Sequence, residues 1–404
     1  MLNLTPDGAA ALRTFRVPED AENMKMSGLW AISGAMLAAS IPMATAQAQT
    51  LTTLYSFTGA SGQNPGGLIR DAQGNFYGTT LLGGASSLGV VFEVTPAGTE
   101  TVLYSFAGAD GEYSTASLVR DSAGNLYGTT SQGGASGHGV VFKLDTTGTE
   151  TVLHSFTGGA DGGTPYSGLF RDSAGNLYGT TYSGGASGRG VIFKINASGT
   201  EKVLHTFAGG AGGANPYAGL TRDSAGNFYG TTYGGGTGHG LVYKLDTADT
   251  YTVLYTFNGL ADGGQPYAGV ILDPAGNLYG TTTQDGPSGY GVVYELSATG
   301  AETVLYGFAG GNDGKNPSTG VIRDSVGNLY GTTQYGGASN NGVVYEVNTA
   351  GTETLLHSFT GGSDGANPQA GLLLNAAGDL FGTTYYGGLH QGPAGDGTVF
   401  KLAP

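Results

Sequence analysis

The sequence predicts an all-β protein, a seven-bladed β-propeller of four-stranded antiparallel blades. Three observations carry that prediction. A Tyr-Gly-Thr-Thr core begins at Tyr77, Tyr127, Tyr178, Tyr229, Tyr279 and Tyr330, and recurs at Phe381 as Phe-Gly-Thr-Thr, at intervals of 50, 51, 51, 50, 51 and 51 residues. Each unit divides into four short apolar runs separated by turn residues, the pattern of a propeller blade. The array is also offset at its ends: it opens on a fourth strand and closes on a third.

Within the unit beginning at Gly168, the run to Asp172 reads as the first strand, A. Asp172-Ser173-Ala174-Gly175-Asn176 is a turn, with the Asp accepting backbone N–H groups and the Gly supplying positive φ. Leu177 to Thr181 is strand B, and the glycine-rich stretch Ser183 to Gly190 is a loop. Val191 to Ile195, β-branched and aromatic, is strand C. After a second turn at Asn196 to Thr200, Lys202 to Phe207 is strand D. No window shows a helical 3.6-residue apolar period. A β-solenoid has shorter coils, and an isolated four-stranded sheet cannot bury both of its faces.

The repeat region starts with Leu51 to Phe57, a D strand without its own A, B and C. It finishes with Thr398 to Leu402, a C strand without its D. The N-terminal strand is therefore expected to complete the last blade and remove the free edge.

Glycine makes up 78 of the 404 residues but follows no Gly-X-Y period, so collagen is excluded. The glycines mark turns and close backbone approaches instead. A net charge of −15 with only 15 basic residues disfavours nucleic acid and anionic membrane surfaces as partners. With no cysteine there is no disulfide, thiolate metal site or Cys nucleophile. Residues 1–48 read as a secretory signal peptide: an uncharged run from Ser27 to Ala46 precedes Ala44-Thr45-Ala46 and Ala46-Gln47-Ala48, either of which suits cleavage. The acidic preface suggests a true start at Met24 or Met26. A membrane anchor is the rival reading of the uncharged run. The propeller then occupies residues 51–404, secreted or in the periplasm or cell envelope, with no membrane span after processing and as a monomer.

The units resemble the bacterial GloVer tandem repeat (the Gloeobacter–Verrucomicrobium type), through Asp-x-x-Gly-Asn-Leu-Tyr-Gly-Thr-Thr, Gly-Gly, Gly-Val-Val-Phe and Val-Leu-Tyr-Ser-Phe. The likeness covers residues 51–402. It implies an exported, propeller-like protein without an assigned activity. Many relatives carry a C-terminal sorting segment, which Lys401-Leu402-Ala403-Pro404 does not supply. The Asp-x-x-Gly-Asn-Leu-Tyr turn also looks like the A–B hairpin of NHL-type repeats.

Strand alternation puts the long B–C and D–A loops on one face, the expected working face. Tyr166, Tyr217 and Tyr267 follow the loop proline there, and Tyr182, Tyr233 and Tyr385 follow Thr-Thr. Tyrosine offers an apolar ring and a hydroxyl, suited to a saccharide or peptide; capping of blade interfaces is the bland alternative. The B–C loop has one chemically variable position: Leu88, His138, Arg189, His239, Tyr290, Asn341 and Asp396. His138, His239 and His390, the last in a longer final loop, are further candidate ligand contacts. Asp110, Asp161, Asp262, Asp313 and Asp364 in the D–A loops read as turn residues, without the spacing of a calcium loop. His154, His205 and His357 stand where other units have Tyr, which suggests packing. Arg70, Arg120, Arg171, Arg222 and Arg323 and the C–D glutamates suggest ion pairs between blades.

No nucleophile elbow, phosphate loop or metalloprotease motif is present. The reading is an exported, non-catalytic binding propeller, with no catalytic residue, metal or cofactor, meeting a saccharide, peptide or cell-surface component. The alternatives are a metal-assisted lyase or lactonase, for which His138, His239 and His390 should converge on the channel mouth, and a structural envelope protein.

Overall fold

Residues 49–389 and 395–404 are described by a computed structural model; the segment read as a signal peptide, and His390, lie outside the described residues. Seven antiparallel sheets follow one another, each of four strands. In the third blade A is Phe170–Arg171, B is Leu177–Thr181, C is Val191–Ile195 and D is Glu201–Thr206. The first blade carries an extra short strand, Gln63–Pro65, beside its B strand. Thr50–Ser56 pairs antiparallel with Thr398–Ala403, so the seventh blade takes its D strand from the beginning of the chain, as expected. Strand A is shorter than the sequence suggests. Only two residues pair, because the residues before them turn inward to pack on the neighbouring blade near the axis.

The repeated motif is a set of bonding instructions. Asp172 accepts the Asn176 N–H on one oxygen, and the Asn176 carboxamide and Tyr178 hydroxyl on the other. Burial pushes the Asp172 carboxyl up, but these donors outweigh it and hold it below the usual range. Glycine at 179 leaves room for an aromatic ring on strand C: a Cβ there would stand 2.7 Å from the Phe193 ring. The first Thr crosses to the next blade, Thr180 Oγ1 donating to Ala218 O at 2.9 Å. The second closes its own B–C loop, donating to Ser183 O and accepting from Val191 N.

One aromatic contact recurs at each blade junction. The Phe at the end of strand D packs edge-on against the strand C ring of the next blade, as in Phe156–Phe193 and Phe207–Tyr243. Phe57 makes the same contact with Phe92, across the closure. The Arg residues before the A–B turn do not form the ion pairs suggested by the sequence. Arg120 lies over Tyr77, Arg171 over Tyr127 and Arg323 over Tyr279, each reaching the B strand of the preceding blade. A guanidinium over a ring face gains both packing and cation–π attraction. Among the described residues no helix is long and apolar enough to cross a membrane.

Candidate functional site

The axial mouth is built from one repeat column, the residue after the loop proline. Before that proline the chain takes a left-handed turn, with Thr164 at φ 55°, Asn215 at 56° and Gln265 at 56°. Asn tolerates that conformation, and its side chain is used. Asn215 Nδ2 donates to Tyr182 O at 2.9 Å, and Asn64 Nδ2 makes the same bond to Tyr385 O. The left-handed residue of one blade thus fixes the residue after Thr-Thr on the blade before it. That bond ties Tyr182 and Tyr385 of the second tyrosine column to the loop of the following blade.

The structure brings Tyr166, Tyr217 and Tyr267 together. Tyr166 and Tyr217 stack with centroids 4.5 Å apart and planes 6° apart, and Tyr217 and Tyr267 are 3.8 Å apart at 32°. Tyr182 stands edge-on to both Tyr166 and Tyr217 at 5.6 Å, and Tyr233 edge-on to Tyr267 at 6.1 Å. The Tyr233 hydroxyl donates to Gln265 Oε1. The column lines a cavity of about 380 Å³ on the axis, to which Tyr385 of the seventh blade also contributes. Burial pushes the Tyr217 hydroxyl up to about 12 and raises those of Tyr166, Tyr267 and Tyr385 as well. All four are neutral hydrogen-bonding groups at any physiological pH. Among the described residues no Lys, Arg, His, Asp or Glu lines this cavity.

His138 and His239 go elsewhere. His138 lies against Gly158 of the next D–A loop, and neither it nor His239 lines the axial cavity. His239 Nδ1 is 2.9 Å from Asp285 Oδ2. Their column varies because its invariant duty belongs to the backbone: His138 O, Arg189 O and His239 O each accept the N–H of the left-handed residue in the following blade. The length of the B–C loop has a structural use too, since its first residues bridge the D–A loop, as in Gly163 with Ser183.

The D–A aspartates close their own loops. Asp161 accepts the Thr157 N–H and sits 3.2 Å from His154 Nε2; Asp262 accepts the Asn258 N–H and the Tyr255 hydroxyl. His and Tyr interchange there because either can donate to the Asp. Where the Asp is missing, at Gly212, His205 instead stacks on Tyr251 at 3.9 Å, and burial lowers its pKa.

These aspartates also act on the C–D glutamates of the next blade. Burial, then the charge of Asp110, raises Glu150 to about 7; the same causes raise Glu302 and Glu353 to about 7 and Glu201 to about 6. A folded-state pKa above the unfolded value means that the folded form holds extra protons between roughly pH 4.5 and 7. Stability from these groups is complete below that window and is lost as pH rises through it. The A–B turn aspartates oppose this only below their unfolded value near 4, and His205, lowered by burial, opposes it within the window as one group against four. The melting temperature should therefore be higher at pH 5 than at pH 8, and Glu150→Gln, Glu302→Gln and Glu353→Gln together should flatten the profile. An equal melt at both pH values would contradict the assignment.

Sequence reasoning found the aromatic half of the mouth and missed the rest. Thr115, Ser318 and Gln369 share the Tyr166 column and line the same cavity. Their membership of that repeat column was the available signal.

Among solved structures, the fold is similar to a catalytically inactive virginiamycin B lyase from Staphylococcus aureus with quinupristin, at 12% identity and TM-score 0.56, covering 88% of this chain and 99% of that one. It is also similar to the extracellular domain of a putative hybrid two-component system from B. thetaiotaomicron, at 14% identity and TM-score 0.55, covering 88% of this chain and 41% of that one. Both show the shared propeller architecture. No curated protein matches the chain. The repeat model matches residues 25–239 and 222–404, nearly the whole length, and with seven units built on the same bonding scheme the chain belongs to the Gloeobacter/Verrucomicrobia repeat family.

Proposed function

We propose that the protein is an exported, non-catalytic binding propeller that takes a saccharide or peptide of the cell surface or surroundings into its axial mouth. The observation that carries this reading is the stacked column Tyr166–Tyr217–Tyr267, confined to three adjacent blades. Seven-fold packing needs no such column, since the equivalent positions elsewhere are Gly66, Thr115, Ser318 and Gln369. Half-buried phenols around an open cavity supply apolar contact and hydroxyls at low entropy cost. A lining without acidic or basic side chains among the described residues favours recognition over acid–base chemistry.

A glycan and peptide array, followed by titration of any hit, tests the proposal. Tyr217→Ala and Tyr182→Ala should each weaken binding by about 10- to 30-fold, the loss expected of a central aromatic contact, with the melting temperature retained. No hit above background, or an affinity unmoved by both substitutions, would remove the axial mouth as the site.

A further inference from the structure

The axial mouth is not symmetric, and the asymmetry points to a ligand class. A Cβ placed on the axial glycines would lie 2.9 Å from the preceding blade's carbonyl at Gly168 and Gly219, 3.1 Å at Gly269 and 3.5 Å at Gly320; at Gly371 nothing lies within 4 Å. The blades thus loosen around the axis from the third to the seventh. On that looser side a second cavity of about 200 Å³ adjoins the first, sharing Tyr267, Ser318 and Gln369 with it.

Its lining is distinctive. Besides Tyr233 and Tyr267 it is lined by Gln284, Gln334 and Gln369, with Thr283, Asn316 and Ser318, and by no aliphatic or charged residue among the described ones. Tyr217 covers one face of Tyr267; the next position in the column, on the other side, is Ser318, which is no ring. A carboxamide offers a donor pair and an acceptor together, the complement of adjacent sugar hydroxyls. A peptide would look for aliphatic pockets or a free strand edge, and a terminal ammonium or carboxylate for an opposite charge. An acidic sugar would enter an uncharged cleft on a chain of net charge −15.

We infer that the cleft between Tyr267 and the carboxamides of Gln284, Gln334 and Gln369 is a subsite for one ring of a neutral oligosaccharide, whose chain continues into the axial mouth. This rests on the binding reading of the mouth and narrows it.

Calorimetric titration of the full chain with neutral malto-, cello-, xylo- and chito-oligosaccharides, with oligogalacturonate, and with end-capped hexapeptides tests it. A neutral oligosaccharide should bind, oligogalacturonate should bind at least tenfold more weakly, and Gln334→Ala and Gln369→Ala should each cost about 3- to 10-fold, the worth of a neutral hydrogen bond. Tyr267→Phe should keep most of the affinity and Tyr267→Ala lose it. Oligosaccharide binding that Tyr217→Ala abolishes but neither glutamine substitution alters would overturn the cleft and leave the mouth standing. Binding of peptides alone, or of oligogalacturonate as tightly as neutral chains, would overturn the ligand class. Binding of nothing, with the fold intact by melting, would overturn both proposals.

Discussion

Removal of residues 50–57 is expected to lower the melting temperature by more than about 10 °C, or to prevent folding, although it takes away only one outer strand. The strand is the clasp of the ring. It pairs with Thr398–Ala403, leaves that strand an exposed edge when absent, and carries Phe57, which is fully buried against Phe92 of the first blade. Across the same junction Phe57 N–H donates to Gly397 O, and Gln63 Nε2 donates to Asp396 Oδ1 at 2.7 Å. Thr383 Oγ1 donates to Gly66 O at 2.9 Å. Every other blade has a continuous chain between its C and D strands; in the seventh blade that seam is held only by packing and hydrogen bonds. The milder variant Phe57→Ala should cost about 3–5 kcal/mol, the range for truncating a buried Phe. A thermal melt by circular dichroism reads both, and an unchanged melt for the deletion would mean that the ring is not held shut by this strand.

The reverse effect is expected from Tyr243→Phe, Tyr294→Phe and Tyr345→Phe. These three rings occupy the strand C position filled by Phe92, Phe142, Phe193 and Phe400 in the other blades. All three are fully buried and their hydroxyls have no hydrogen-bond partner. Each hydroxyl lies against the glycine of Tyr-Gly-Thr-Thr, within 2.6 Å of where a Cβ on Gly230, Gly280 or Gly331 would stand. A buried unsatisfied hydroxyl costs about 1–3 kcal/mol. Each substitution should therefore stabilise by about 1 kcal/mol. The sites lie in different blades and should add, so the triple variant should melt roughly 5 °C higher. A lower melt would show that the hydroxyls are bonded after all.

Much of the fold was legible because the repeat states each instruction several times. The Asp172 to Tyr178 turn, the crossing Thr180 and the Phe156 to Phe193 contact recur blade after blade, and the offset ends announce the closure. The tyrosine columns of the site could be read in the same way. Asp161 could be read as a turn residue, and it closes its own loop. The role of the arginines could not be read. Arg171 has an aromatic partner in the preceding blade rather than an ion pair. That partner, Tyr127, is distant in the chain, and a linear pattern does not say which neighbour a side chain reaches.

Local chemistry along the chain was enough to determine the blade, its number and the order of its strands, since turn residues, β-branched runs and their period act within a few residues of one another. The axial cavity was decided only by assembly. Whether three tyrosines point outward singly or stack into one wall depends on how closely seven segments, six of them with an axial glycine, approach the axis. That spacing belongs to the closed ring, not to any one repeat.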